Sequence, residues 1–162
     1  MKALIIYDSV FGFTEKIALS IAGAFAPPDE VKTVRVADAR VHDFGAFDII
    51  IVGAPTQAER PMKSVADFLQ NLPDNSLAGK AAAAFDTRFS ARDRNAALRL
   101  LMKSFGFAAG RIAVVLAAKG GKLILPAEGF IVDGREGPLH DGELERAAAW
   151  GKTIAAIAGQ KS

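Results

Sequence analysis

The first fourteen residues narrow most strongly what this chain can fold into. Residues 2–7 form a near-continuous apolar run, which is typical of a parallel strand that is covered on both faces. A turn over residues 8–13 follows, and a helix is predicted to begin at Thr14. Gly12 lets this turn adopt backbone conformations that are closed to other residues. Its amide groups can then point inward beside the positive end of the helix, in a geometry that binds phosphate.

The same turn also allows a second interpretation. Ser9 and Thr14 carry hydroxyl groups that can donate hydrogen bonds to a phosphate. The two side chains can equally cap the helix in a tight turn that binds nothing. The turn by itself leaves both interpretations open, so the choice depends on the rest of the chain.

Strand and helix patterns alternate along the remaining chain. Strands are predicted at 31–36, 48–53, 80–85 and 122–125, with a short extended piece at 130–132. Helices are predicted at 14–25, 61–72, 91–105, 111–118 and 141–158. Pro61 is expected at the first position of its helix, and Ser90 and Asp141 are expected to cap theirs. This alternation predicts one α/β domain over 1–162 with a doubly wound parallel sheet.

The apolar run 111–118 fits a strand or a helix by periodicity alone. We predict a helix, because a parallel sheet needs a crossover before the strand at 122–125.

Composition excludes several kinds of chemistry. The chain has no cysteine, which excludes disulfides, thiolate metal ligands and thiol catalysis, and its two histidines argue against a histidine-rich metal site. A net charge of +2 is too weak a bias to indicate nucleic-acid binding. No apolar run approaches the ~20 residues that span a bilayer. Since the N-terminal pattern is that of a strand rather than a signal peptide, a cytoplasmic location is expected.

The spacing Ser9-x-x-Gly12-x-Thr14 after an N-terminal strand resembles the FMN phosphate loop of flavodoxins, whose usual pattern is Ser/Thr-x-Thr-Gly-x-Thr. The stretch 48–56 resembles the third strand and following loop of flavodoxins, and 85–88 and 137–147 resemble a bacterial branch of flavodoxin-like proteins, all in the expected order. The resemblance implies a flavodoxin-like three-layer α/β/α fold with a five-stranded parallel sheet in the order 2-1-3-4-5. It also implies FMN as the cofactor, above the carboxyl ends of strands one and three, where open α/β sheets bind ligands.

Three segments would contact FMN if the resemblance holds. The 9–14 loop would bind the phosphate, and 55–58 and 86–89 would lie against the isoalloxazine ring. The implied cofactor-binding residues are Ser9, Val10, Phe11, Gly12, Phe13, Thr14, Pro55, Thr56, Gln57, Ala58, Asp86, Thr87, Arg88 and Phe89.

The chain departs from the flavodoxin pattern in several places. Phe11 replaces the usual Thr and Phe13 a common Asn, and 55–60 contains no aromatic residue to stack on the ring. Typical electron-carrying flavodoxins are acidic, whereas this chain is mildly basic, so the resemblance does not extend to their usual partner enzymes. The basic segment 88–103 fits a lid, a clamp for an anionic substrate or partner, or a solvated helix face. Arg88 is singled out because it leaves the ligand-facing end of a strand.

Three functions are consistent with these features. The leading hypothesis is an FMN-binding protein that transfers one or two electrons to a redox partner protein or a small-molecule acceptor. The second is an FMN-dependent NAD(P)H:quinone-type reductase, with the basic segment gating the substrate. The third is a flavin-free module that binds or regulates another molecule. The resemblance favours an electron carrier over a dedicated oxidoreductase.

Overall fold

The computed structural model describes residues 1–58, 60–89 and 107–160. The strands are β1 Lys2–Tyr7, β2 Glu30–Arg35, β3 Ile49–Gln57, β4 Arg60–Pro61, β5 Ala81–Phe89, β6 Lys122–Leu123 and β7 Glu128–Val132. The helices are α1 Phe13–Ala22, α2 Lys63–Gln70, α3 Ala108–Ala118 and α4 Glu143–Gly159. Two short 3₁₀ helices, Val36–Asp38 and Val41–Ala46, connect β2 to β3.

The main sheet is parallel and has the strand order β2-β1-β3-β5-β6, with β7 also pairing with β5. In register, Ile5 lies beside Ile51 and Ile51 beside Ala83. Both β6 and β7 run parallel to β5, so together they fill the fifth position of the sheet. The predicted order 2-1-3-4-5 is therefore confirmed, with its fifth strand divided into two short segments.

Helices cover both faces of the sheet. Helices α1 and α4 pack with one set of strand residues, which includes Ile5, Ile51 and Phe85. Helices α2 and α3 and the 3₁₀ segments pack with the opposite set, which includes Ile6, Val52 and Ala84. Because both faces are covered, every β3 residue from 49 to 54 is buried, which explains the uninterrupted apolar run.

The strands β3 and β5 extend further than their apolar runs. The residues that follow each run, 54–57 and 86–89, were expected as loops but continue in the strand conformation. Thr56 and Gln57 pair in an antiparallel hairpin with Pro61 and Arg60. Pro61 therefore does not begin a helix, and α2 begins at Lys63 after the hairpin is complete. Proline suits this position because a short edge strand does not need its missing N–H group.

Helix boundaries were predicted less accurately than helix positions. The helix expected over 111–118 is confirmed and begins earlier, at Ala108. Helix α4 begins at Glu143 with Gly142 as its N-cap, so the prediction that Asp141 caps it is wrong. Gly142 has a φ of +85°, a conformation that glycine adopts without strain. The helix expected over 91–105, with Ser90 as its cap, lies outside the described residues.

In the described part of the chain, every helix is too short or too polar to cross a membrane.

Candidate functional site

The 9–14 loop leaves the carboxyl end of β1 and enters α1 through a left-handed residue. Gly12 is the N-cap of α1 and has a φ of +88° and a ψ of −1°. Two side chains fix the turn that precedes it. Asp8 Oδ1 accepts the Ser9 N–H at 2.8 Å, and Ser9 Oγ accepts the Gly12 N–H at 2.9 Å. The Ser9 side chain thus holds the turn from within rather than capping α1 directly.

Four amide groups of this loop are left available. Among the residues that the structure describes, the N–H groups of Val10, Phe11, Phe13 and Thr14 have no acceptor. Such amides at the start of a helix are normally satisfied by a cap, by water or by a ligand. Here they coincide with the positive end of the α1 dipole, so the loop is suited to an anion without needing a side-chain cation.

A pair of buried hydroxyl groups joins this loop to the end of β5. The Oγ1 atoms of Thr14 and Thr87 lie 2.8 Å apart, and the two residues are only 1% and 5% exposed. One hydroxyl donates to the other, which leaves the pair with a single proton to donate to a ligand. Thr87 was expected at the ring, but its hydroxyl contacts the side of the 9–14 loop.

Asp86 is held in a buried ion pair with Arg88, two residues later on β5. Arg88 donates from Nε to Oδ1 at 2.6 Å and from Nη2 to Oδ2 at 2.8 Å, and the Ala109 N–H adds a third bond at 2.8 Å. Burial raises the pKa of the Asp86 carboxyl above its usual range, although the bonds from Arg88 oppose this effect. The Arg88 guanidinium also lies over the Phe107 ring, 3.7 Å from its centroid.

This arrangement leaves Arg88 little freedom. A Cβ on Gly129 of the neighbouring strand would lie 2.2 Å from Arg88 Cζ, so only glycine allows the guanidinium to occupy its place. The charge of Arg88 is thus paired with Asp86 at the base of the site.

A small cavity of about 50 Å³ lies at the carboxyl edge of the sheet. It brings together residues from all three predicted segments, together with two residues from the chain around the end of β7: Phe13, Pro55, Thr56, Thr87, Arg88, Phe89, Val132 and Arg135. Sequence reasoning missed Val132 and Arg135. The Asp-Gly pair at 133–134 is typical of a turn, but nothing local to the sequence places that turn beside the end of β5.

The remaining predicted residues lie around this cavity. Asp86 is fully buried, whereas Gln57 and Ala58 are exposed in the β3–β4 hairpin. Three apolar side chains near the site are about half exposed: Val10 at 50%, Phe11 at 47% and Phe89 at 53%. A larger open groove of about 540 Å³ runs between α2 and α3, and no residue of the 9–14 loop lines it.

A charged network lies on the outer side of the 9–14 loop. Arg35, at the end of β2, donates from Nη1 to Asp8 Oδ1 at 3.0 Å and to the Ser9 carbonyl oxygen at 3.3 Å. Its Nη2 lies 3.6 Å from the Glu15 carboxylate, which accepts the Tyr7 hydroxyl at 2.7 Å. Burial, together with this bond to Glu15, raises the pKa of the Tyr7 hydroxyl.

The residues present fit a phosphorylated ligand. The four available amides and the remaining hydroxyl proton of Thr14 and Thr87 can together accommodate several phosphate oxygens. Apolar and polar groups at the ends of β3 and β5 lie beside this anion site, as an attached ring would require. No group of three or more metal-ligating side chains occurs among the described residues.

Comparison with known proteins gives consistent matches. The family model described as Flavodoxin domain matches residues 4–130. A curated flavodoxin from Maridesulfovibrio salexigens is 34% identical over 89 residues, which are 52% of this chain and 61% of that protein, so the match spans less than two thirds of the relative.

Two solved structures show the same fold. A flavodoxin from the domain Archaea superposes with a TM-score of 0.78 at 20% identity, over 98% of this chain and 99% of that one. Oxidised flavodoxin 1 from Bacillus cereus gives a TM-score of 0.74 at 23% identity, over 99% of this chain and 98% of that one.

Proposed function

We propose a function from one established fact: the chain belongs to the flavodoxin domain family. The family and fold that the sequence indicated are confirmed, and FMN is the cofactor that the family implies. We propose that this chain binds FMN through the 9–14 loop and serves in electron transfer. The observation that carries the proposal is the set of four available amides around Gly12, at the positive end of α1.

Each predicted segment has a role in this proposal. The amides of Val10, Phe11, Phe13 and Thr14 would hold the phosphate, with Ser9 supporting the turn. The end of β3 and its hairpin, including Pro55, Thr56, Gln57 and Ala58, would lie along the ring. The end of β5 would complete the site, with Thr87 beside the phosphate and Phe89 beside the ring.

The chain's own groups bind and orient the cofactor, while FMN when bound supplies one- or two-electron redox chemistry. Asp86 and Arg88 support the site from below by tying β5 to the start of α3. The Thr14–Thr87 pair, whose Oγ1 atoms lie 2.8 Å apart, would supply one donor to the phosphate, and the amides would supply the others.

An electron carrier suits this site better than a dedicated reductase. The exposed side chains of Val10, Phe11 and Phe89 surround the site with apolar surface that a partner can approach directly. We therefore propose a redox partner protein or a small acceptor that takes electrons at the exposed edge of the cofactor.

Titration of the apoprotein with FMN tests the binding proposal, with quenching of flavin fluorescence as the signal. Gly12→Val should abolish binding, because a β-branched residue is poorly tolerated at a φ of +88° and would redirect the amides. Thr14→Ala should weaken binding by about 1.5–3 kcal/mol, because a hydrogen bond to the charged phosphate is lost. Gly79→Val is the matched control. Gly79 also has a positive φ, of +76°, and open space around it. However, it lies just before the amino end of β5, whereas the 9–14 loop lies at the carboxyl ends of the strands.

The control should lose stability and keep the affinity for FMN. Wild-type protein that gives no quenching with micromolar FMN, or Gly12→Val that binds like wild type, would contradict the proposal. The electron-carrier role is tested separately by mixing the FMN-loaded protein with NAD(P)H and a quinone. Turnover no faster than that of free FMN is expected, and faster turnover would favour the reductase instead.

A further inference from the structure

Two carboxylates stand close to the amides of the 9–14 loop. Asp8 precedes the loop and binds its first amide, at Ser9, while Glu15 follows in the first turn of α1. The Asp8 side chain is only 15% exposed, so water screens its charge weakly. A dianionic phosphate arriving at these amides would be repelled by both carboxylates, and the repulsion is strongest where the surroundings are least polar.

Asp8 has a structural reason to be at this position. Its Oδ1 accepts the Ser9 N–H, and its Oδ2 accepts the Ser64 hydroxyl of α2 at 2.6 Å. The carboxylate therefore ties the start of the loop to a helix on the other face of the sheet. An uncharged side chain would bind more weakly to these two donors, because hydrogen bonds to a charged acceptor are the stronger ones.

Arg35 lies where it can offset both negative charges. Its Nη1 is 3.0 Å from Asp8 Oδ1, and its Nη2 is 3.6 Å from Glu15 Oε2. The same Nη1 contacts the Ser9 carbonyl oxygen at 3.3 Å, so the guanidinium also steadies the loop backbone. Two carboxylates and one guanidinium leave a local charge of about −1 instead of −2, which the α1 dipole can overcome more easily.

We propose that Arg35 is a positioning residue that makes the 9–14 loop selective for a phosphorylated flavin. Asp8 fixes the loop, and Arg35 removes the electrostatic penalty that Asp8 would impose on the phosphate. This inference rests on the proposed FMN-binding function and adds a determinant of selectivity outside the loop itself.

The experiment compares FMN with riboflavin, which has the same ring and no phosphate. Arg35→Gln should raise the Kd for FMN about tenfold, which corresponds to about 1.4 kcal/mol, and should change the Kd for riboflavin less than twofold. Arg40→Gln is the matched control, because Arg40 donates to the carbonyl oxygens of Ala37 and Ala39 and pairs with no carboxylate among the described residues. This control should leave both affinities unchanged.

A second variant separates charge compensation from a merely structural role. In Asp8→Asn/Arg35→Gln, both charges are removed together, so the affinity for FMN should return to within about threefold of wild type. Arg35→Lys keeps the positive charge and should also remain close to wild type. If Arg35→Gln does not fold, the double variant and Arg35→Lys still make the comparison, and a Kd for FMN raised tenfold in either would refute charge compensation.

The remaining outcomes distinguish this inference from the function on which it rests. Equal weakening of FMN and riboflavin by Arg35→Gln, or no recovery in the double variant, would overturn the role of Arg35 while FMN binding stands. Wild-type protein that binds neither ligand would overturn both.

Discussion

Replacement of Arg88 by Gln should leave a buried carboxylate without its cation. Asp86 is 0% exposed, and the only guanidinium that the described structure places against it is that of Arg88. Removing one member of a buried ion pair typically costs about 3–5 kcal/mol. The Arg88 side chain is 18% exposed, so water can partly reach the gap, and we expect the lower end of that range. The lost stacking on Phe107 adds about 0.5–1 kcal/mol, so the expected total is about 3–4 kcal/mol at pH 8.

The loss should depend on pH with a definite sign. Burial already raises the pKa of Asp86 from 3.8 in the folded protein, so the folded state binds a proton more readily than the unfolded state. Stability attributable to this group therefore falls as pH rises from 3.8 through the folded pKa. Without Arg88 the folded pKa rises further, and protonation relieves part of the damage. The difference between Arg88→Gln and wild type should consequently be smaller at pH 5 than at pH 8.

Urea denaturation at both pH values, followed by circular dichroism, measures this effect. Asp86→Asn/Arg88→Gln should recover at least half of the lost stability at pH 8 and lose the pH dependence. Lys119→Gln is the control, because Lys119 pairs with an exposed carboxylate, Asp74, and such pairs contribute about 0–1 kcal/mol. A loss below 1 kcal/mol in Arg88→Gln, or an equal loss at pH 5 and pH 8, would show that the ion pair does not stabilise the end of β5.

Two further predictions concern the packing around the site. Gly53→Ala should destabilise the fold by about 2–3 kcal/mol in thermal or urea unfolding, because the new Cβ would lie 2.1 Å from the buried Phe85 ring. The control Gly45→Ala has open space and should change stability by less than 1 kcal/mol, so a similar loss in both would refute the steric argument. Glu143→Gln should cost about 1.5–3 kcal/mol at pH 7, since Glu143 accepts the Ile131 N–H at 2.6 Å and pairs with Arg146. Burial opposes ionisation of Glu143, but its hydrogen bonds outweigh burial and lower its pKa from 4.5. The stability that ionised Glu143 contributes is therefore present above pH 4.5 and is lost as the pH falls through the folded pKa. The difference from wild type should therefore shrink at pH 3, and a constant difference would argue against ionised Glu143 as its source.

The parts of the fold that the sequence predicted are those that short-range patterns determine. Strands β1 and β3 are apolar because helices cover both of their faces, and the same burial makes them recognisable in sequence. Helix α3 followed from the need for a crossover. The β3–β4 hairpin was missed because the pairing of Gln57 with Arg60 overrides the helix preference of Pro61, and pairing depends on register rather than composition.

The sequence predicted which segments form the candidate site, but not what each of their side chains does there. The carboxyl ends of β1, β3 and β5 had to meet, so the position of the site followed from topology. The role of Arg88 did not follow, because the ring of Phe107 lies against its guanidinium only when the start of α3 packs on β5. Arg135 had no local signal either, since its position depends on β7 pairing with β5.

The balance of charge around the 9–14 loop shows why sequence motifs specify such sites incompletely. The motif supplies Ser9, Gly12 and Thr14, which shape the backbone and leave the amides available. The motif does not include Asp8, which holds this backbone through its hydrogen bond with Ser64. Nor does it include Arg35, which lies on another strand and offsets the negative charge of Asp8. Affinity for an anion depends on the amides and on this surrounding charge together. Since Asp8 and Arg35 are 27 positions apart in sequence, a chain could keep the motif intact and still lose the phosphate by a change at Arg35 alone.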